Sequence, residues 1–144
     1  MIKGLHHASF AVSNLARSIA FYESLGCEVL WQEDKEGERF SATVGIPEAR
    51  GKVAMLRIGD NRAELFQYIN PTGRPHDRRN CDIGAGHWCF SVTDINEHYE
   101  ALLAKGVKFN SPPRTIESGA LKGCRAVYFS DPDGITLELF QEAD

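Results

Sequence analysis

No stretch of this chain approaches the ~20 consecutive apolar residues that cross a bilayer, and the opening MIKGLHH has no apolar segment of the secretory kind. Paired cysteines are also missing. Cys27, Cys81, Cys89 and Cys124 stand apart, with no C-x-x-C among them, which argues against a zinc ribbon or a dithiol redox motif. Positive charge is in deficit: 16 Lys and Arg against 20 Asp and Glu give a formal net charge of −4, with a pI near 5.7. A nucleic-acid or anionic-membrane surface is not expected from that balance. The one basic stretch, Arg74 to Arg79, holds Asp77 and reads as a solvated loop. These absences place the chain in the cytoplasm with reduced thiols. Its expected partner is a small molecule, not nucleic acid or a membrane.

What is present is a doubled pattern. The 144 residues, 42% hydrophobic and 25% charged, are enough for one domain with a buried core. At an offset of 80, Gly4-Leu-His-His-Ala-Ser-Phe-Ala-Val falls on Gly84-Ala-Gly-His-Trp-Cys-Phe-Ser-Val. His7 meets His87, Phe10 meets Phe90, and Val12 meets Val92. The word ELFQ occurs at Glu64–Gln67 and again at Glu138–Gln141, an offset of 74. Two copies of one supersecondary unit account for this better than a long solenoid.

Each copy reads as strand, helix and three strands. His7–Val12 and His87–Val92 alternate with the strand period. Ala8, Phe10 and Val12 form a bulky face that should pack on a helix; His7, Ser9 and Ala11 form the other face. Trp88, Phe90 and Val92 repeat the first face, and His87, Cys89 and Ser91 the second. Asn14 and Asp94 are expected helix caps, the latter in a capping box with Glu97. Helices follow over about Leu15–Leu25 and Ile95–Lys105. Gly26 and Gly106 stand where a left-handed residue ends a helix. The remaining strands are expected near 28–34, 52–58 and 62–68, then near 108–110, 125–129 and 136–141. Turns are expected at Asp60-Asn61 and Asp131–Gly134. The whole of 1–144 is read as a single domain: module one about 4–70, a linker about 71–83, and module two about 84–141.

Glutamate is depleted in strands and is seldom buried without a partner. Two of them in matching strand contexts need an explanation. Related by a pseudo-twofold axis, the copies would bring His7, Glu64, His87 and Glu138 around one point. Two imidazoles and two carboxylates make a good divalent-metal site. His6 lies on the bulky face without a counterpart and reads as a hydrogen-bonded core residue. His76 and His98 read as loop and helix-surface residues. Cys89 is the best placed of the thiols for a nucleophilic role.

The motifs LHHASFAVSNLARSIAFYESLG, GHWCFSVTDI and FSDPDGITLELFQ resemble the vicinal oxygen chelate superfamily. That group includes glyoxalase I, methylmalonyl-CoA epimerase, extradiol dioxygenases, fosfomycin-resistance enzymes and bleomycin-binding proteins. The resemblance spans about Gly4 to Gln141. It implies an α+β fold of paired βαβββ modules, forming a U-shaped, partly open barrel-like sheet with helices outside. It also implies metal ligands at His7, Glu64, His87 and Glu138, a set similar to bacterial glyoxalase I.

The departures narrow the expectation. The places of two glutathione-holding residues fall on Ala11 and Tyr68, and the place of the epimerase's second acid/base falls on Ala54. Extradiol dioxygenases leave the position of Glu64 without a ligand. The resulting reading is a metal-dependent isomerase or lyase. It would move a proton beside a chelated carbonyl through an enediolate-like intermediate, with Glu138 as base and Glu64 second. The metal is one ion of Zn, Ni, Co, Mn or Fe, and the assembly a homodimer. The alternatives are an Fe(II) dioxygenase using His7, His87 and Glu138, and a binding protein with an aromatic cleft near Trp31 and Phe40. The segment 33–51, with Arg39, Phe40 and Arg50, is the expected substrate rim.

Overall fold

The computed structural model describes residues 1–75 and 79–143. The chain divides into two compact units, Met1–Pro75 and His76–Asp144. The division falls inside the expected linker. The class is α+β, with one open four-stranded mixed sheet in each unit.

In the first unit the elements are β1 (Ala8–Ala11), α1 (Leu15–Ser24), β2 (Glu28–Lys35), α2 (Glu38–Val44), β3 (Arg50–Ile58) and β4 (Asn61–Asn70). The sheet order is β1-β4-β3-β2, with β1 parallel to β4 and the other pairs antiparallel. The second unit contains β5 (Trp88–Ser91), α3 (Ile95–Ala104), β6 (Arg114–Thr115), β7 (Arg125–Ser130) and β8 (Thr136–Gln141). Its order, β5-β8-β7-β6, repeats the first. In both units the first strand runs beside the last.

The helices form where the caps said they would. Asn14 Oδ1 accepts the Arg17 N–H, and Asp94 Oδ1 accepts those of Asn96 and Glu97. At the other end Gly26 and Gly106 have φ of 93° and 81°. The following N–H groups, of Cys27 and Val107, donate back to Tyr22 O and Leu102 O, a Schellman closure. On α1 the buried residues Leu15, Ser18, Ile19 and Tyr22 recur at i, i+3, i+4 and i+7. They cover the sheet face bearing Ala54, Leu56, Ala63 and Leu65, all at 0–1% exposure. Each such Leu contributes roughly 1.5–3 kcal/mol by burial.

The ELFQ words have a structural answer. Alternate residues of a strand face opposite sides. Leu65 and Leu139 enter the core. Two residues on from each glutamate, Phe66 and Phe140 accept the N–H of Val12 and Val92 through their carbonyls. The glutamines then reach the helices: Gln67 Oε1 accepts the Leu15 N–H at 2.8 Å, and Gln141 Oε1 the Ile95 N–H at 2.9 Å. One word thus sets a glutamate on one face and a helix cap on the other.

The segment 33–51, to which the sequence assigned no helix, contains α2, whose ends are Gly37 and Gly45 with no side-chain cap and no buried residue. Two expectations are corrected. The strand expected near 108–110 is reduced to one bridge, Phe109 with Phe129, and β6 pairs with β7 further along; Pro112 and Pro113 lie between. The turn expected at Asp60-Asn61 sits one residue earlier, at Gly59-Asp60, where Gly59 supplies a φ of 53°. In Asp131–Gly134 the Asp131 Oδ1 accepts the N–H of Asp133 and Ile135, both at 2.8 Å. Among the described residues no helix is long and apolar enough to cross a membrane.

Candidate functional site

Each unit brings one of the expected histidines to one of the expected glutamates. His7 immediately precedes β1, and Ser9 stands opposite Glu64 in the β1–β4 register. Ser9 Oγ donates to Glu64 Oε1 at 2.8 Å, and His7 Nε2 lies 3.9 Å from the same oxygen. In the second unit Cys89 stands opposite Glu138, and His87 Nε2 lies 2.9 Å from Glu138 Oε2. Parallel pairing of first and last strands creates both meetings. Among the described residues no group of three or more His, Cys, Asp or Glu side chains is placed to hold a metal ion.

The halves differ in their surroundings. The Glu138 side chain is 10% exposed and that of Glu64 23%. Tyr128 stands opposite Glu138 on β7. The Tyr128 ring meets His87 edge-on at 5.1 Å. Partial desolvation, then the Glu138 charge, raises the Tyr128 hydroxyl above its usual range. Residue 89 as a whole is exposed, but its sulfur lies against Glu138. Partial desolvation, followed by that carboxylate, pushes the Cys89 thiol up to about 12. A thiol held protonated is a poor nucleophile, which removes the support for Cys89 in that role.

At the matching place in the first unit stands Met55, opposite Glu64. It has no hydroxyl donor, as Tyr128 has. Here the neighbours are aromatic: Tyr68 packs on Phe66 at 4.4 Å, and Phe40 of α2 stacks on Phe66 at 5.5 Å and 10°. Desolvation and then the Glu64 charge raise the Tyr68 hydroxyl. Phe40 is thus part of a packed aromatic wall. Arg50 lines an open cavity of about 820 Å³ with Glu36, Glu38, Ser41, Glu48 and Asn70; neither His7 nor Glu64 lines it. Trp31 is 41% exposed on β2.

The other expectations resolve unevenly. Ala54 is opposite Leu65 on the face that α1 covers, so the β3 residue that shares the face of Glu64 is Met55. No acidic residue occurs anywhere in β3. His6 is exposed, not core; its Nδ1 lies 2.7 Å from Nδ1 of His7. His98 is exposed on α3, and His76 lies outside the described residues. Ser9 and Cys89 share the offset of 80 and were findable as partners of the glutamates. Tyr128 had no such signal, because the two hairpins differ in turn length.

The donor set fits a divalent cation chemically. Each half offers an imidazole nitrogen and a carboxylate oxygen.

Comparison with known proteins bears on the family and the fold. The family model for the Glyoxalase/Bleomycin resistance protein/Dioxygenase superfamily matches residues 4–139. A 2-epi-5-epi-valiolone epimerase from Actinomyces sp. is 34% identical over 141 residues, covering 94% of this chain and 77% of the relative. A glyoxalase family protein from Bacillus cereus superposes with a TM-score of 0.87 at 22% identity, covering 100% of this chain and 97% of that one. The fosfomycin resistance protein FosX from Listeria monocytogenes, solved with Mn(II) and sulfate, gives 0.66 at 20% identity, covering 99% and 95%. At these identities the two structures speak for the fold. The family match covers nearly the whole sequence, and the chain belongs to the Glyoxalase/Bleomycin resistance protein/Dioxygenase superfamily.

Proposed function

We propose that His7, Glu64, His87 and Glu138 hold one divalent ion, and that the protein is an isomerase or lyase acting on a small α-oxygenated carbonyl compound. The observation that carries the proposal is the doubled His–Glu pair, set at the same register of equivalent strands in both units. Zinc, nickel, cobalt, manganese and iron all accept such mixed N/O ligands. When bound, the ion supplies Lewis-acid polarisation of two adjacent substrate oxygens.

The protein's own groups do the rest. Glu138 takes the proton from the carbon beside the carbonyl. Cys89 and Tyr128 flank it on the neighbouring strands. Glu64, fixed by Ser9, is the second carboxylate and returns a proton where the product is an epimer. The name of the epimerase relative supports a reaction in which one stereocentre is inverted. The absence of any acid from β3 removes the alternative of a second base on that strand. A homodimer is the expected assembly, and its mass is measurable on the same sample.

The test is metal content per chain, by elemental analysis of untagged protein purified without chelator. About one ion per chain, lost in His7→Ala and in His87→Ala, is expected. No uptake after incubation with several divalent ions would overturn the proposal. With a substrate in hand, Glu138→Gln should abolish most turnover; full activity would remove Glu138 from the role of base.

A further inference from the structure

A histidine ligates a metal through a nitrogen that carries no proton. Which nitrogen of His7 is bare is set by what its other nitrogen touches. That neighbour is His6: the two Nδ1 atoms are 2.7 Å apart, with the rings nearly perpendicular at 82°. Two lone pairs cannot face each other at this distance, so a proton lies between them. Arg62 decides whose it is. Its Nη1 lies 3.3 Å from Nε2 of His6, and a guanidinium only donates. Nε2 of His6 must therefore accept, which puts the His6 proton on Nδ1. His6 Nδ1–H then donates to Nδ1 of His7. The remaining proton of His7 sits on Nε2, the atom facing Glu64 at 3.9 Å.

We propose that Arg62, acting through His6, is a positioning device for His7: it holds His7 in the Nε2–H form, and ligation through Nε2 requires the relay to reverse. On reversal His7 Nδ1–H donates to His6, and the His6 proton moves to Nε2. That proton then confronts a donor on Arg62, so the Arg62–His6 contact and a bare His7 Nε2 exclude each other. The inference rests on the reading of His7 as a ligand only in its second half. The proton positions exist without any ion.

The test uses the ¹⁵N-labelled full chain, metal-free, at pH 8. Long-range ¹H–¹⁵N correlation separates protonated from bare ring nitrogens. Signals are assigned through His6→Gln and His7→Gln. The wild type should show His6 protonated on Nδ1 and His7 on Nε2. Arg62 is exposed, so Arg62→Met should fold. It should shift His6 toward Nε2–H and tighten zinc binding roughly two- to tenfold, the worth of one exposed hydrogen bond. Arg62→Lys, which can donate to the same nitrogen, should restore the wild-type pattern. A metal-free wild type with His6 protonated on Nε2 would overturn the proposal. So would an Arg62→Met variant with unchanged proton positions. The expected protons in a protein that binds no zinc would support the relay and count against the metal reading alone.

Discussion

The glutamines of the two ELFQ words offer the sharpest test of how each module is tied together. Replacing Gln141 by Met keeps the length of the side chain and removes its acceptor. The Ile95 N–H, on a residue with 0% exposure, then has no partner in place of a 2.9 Å hydrogen bond. A buried donor left unsatisfied costs about 1–3 kcal/mol. Gln67→Met should cost a similar amount, since Leu15 is 5% exposed and its N–H donates at 2.8 Å. The two caps serve different helices and share no partner, so the double variant should lose the sum. For a chain of this size the melting temperature should fall by roughly 3 °C per kcal/mol. Urea unfolding is the assay, with the midpoint expected to move at constant slope. Gln32→Met, on the exposed face of β2, is the control and should stay within about 0.5 kcal/mol. If both cap variants behaved like that control, the glutamines would be bystanders and the repeat of the word would need another reason.

Two further outcomes follow from the packing. Gly51→Ala would drive a Cβ into Phe66 Cε1 and to 2.6 Å from the backbone oxygen of Gln67. It should destabilise by about 1–3 kcal/mol, and Phe66→Leu should rescue it only in part, because the carbonyl cannot withdraw; full rescue in urea midpoints would refute this. Burial pushes the Cys27 thiol from its ordinary 9.0 up to about 11. A raised value means that the folded chain keeps a proton the unfolded chain gives up. That stability is present below pH 9 and is lost as the pH climbs toward 11. The decline should be shallower in Cys27→Ala, and equal slopes would contradict it.

Much of the module was legible because local rules agreed with the fold. Asn14, Asp94, Gly26 and Gly106 announced both long helices through cap chemistry alone. Thr136–Gln141 was bounded correctly because a turn sequence precedes it. The helix over 38–44 was not legible: Glu38–Val44 follows a glycine, lacks a side-chain cap and buries no residue, so it writes no periodic stripe. The pairing of each histidine with its glutamate was visible as a repeat. What surrounds them was not. Tyr128 and Met55 occupy matching places, but hairpins of unequal turn length take them out of a common offset. The bond between His6 and His7 joins adjacent side chains that strand alternation would send to opposite faces; it arises because both precede β1.

The first strand of each unit pairs with the last. Ser9 and Glu64 meet across 55 residues of chain, and Ile95 and Gln141 across 46. Closing such loops carries an entropic cost that the local hairpins of β3 with β4 and of β7 with β8 do not. Each His–Glu pair is therefore expected to form after its module's hairpin, and the capacity to present these donors is expected to report on completed folding of the module.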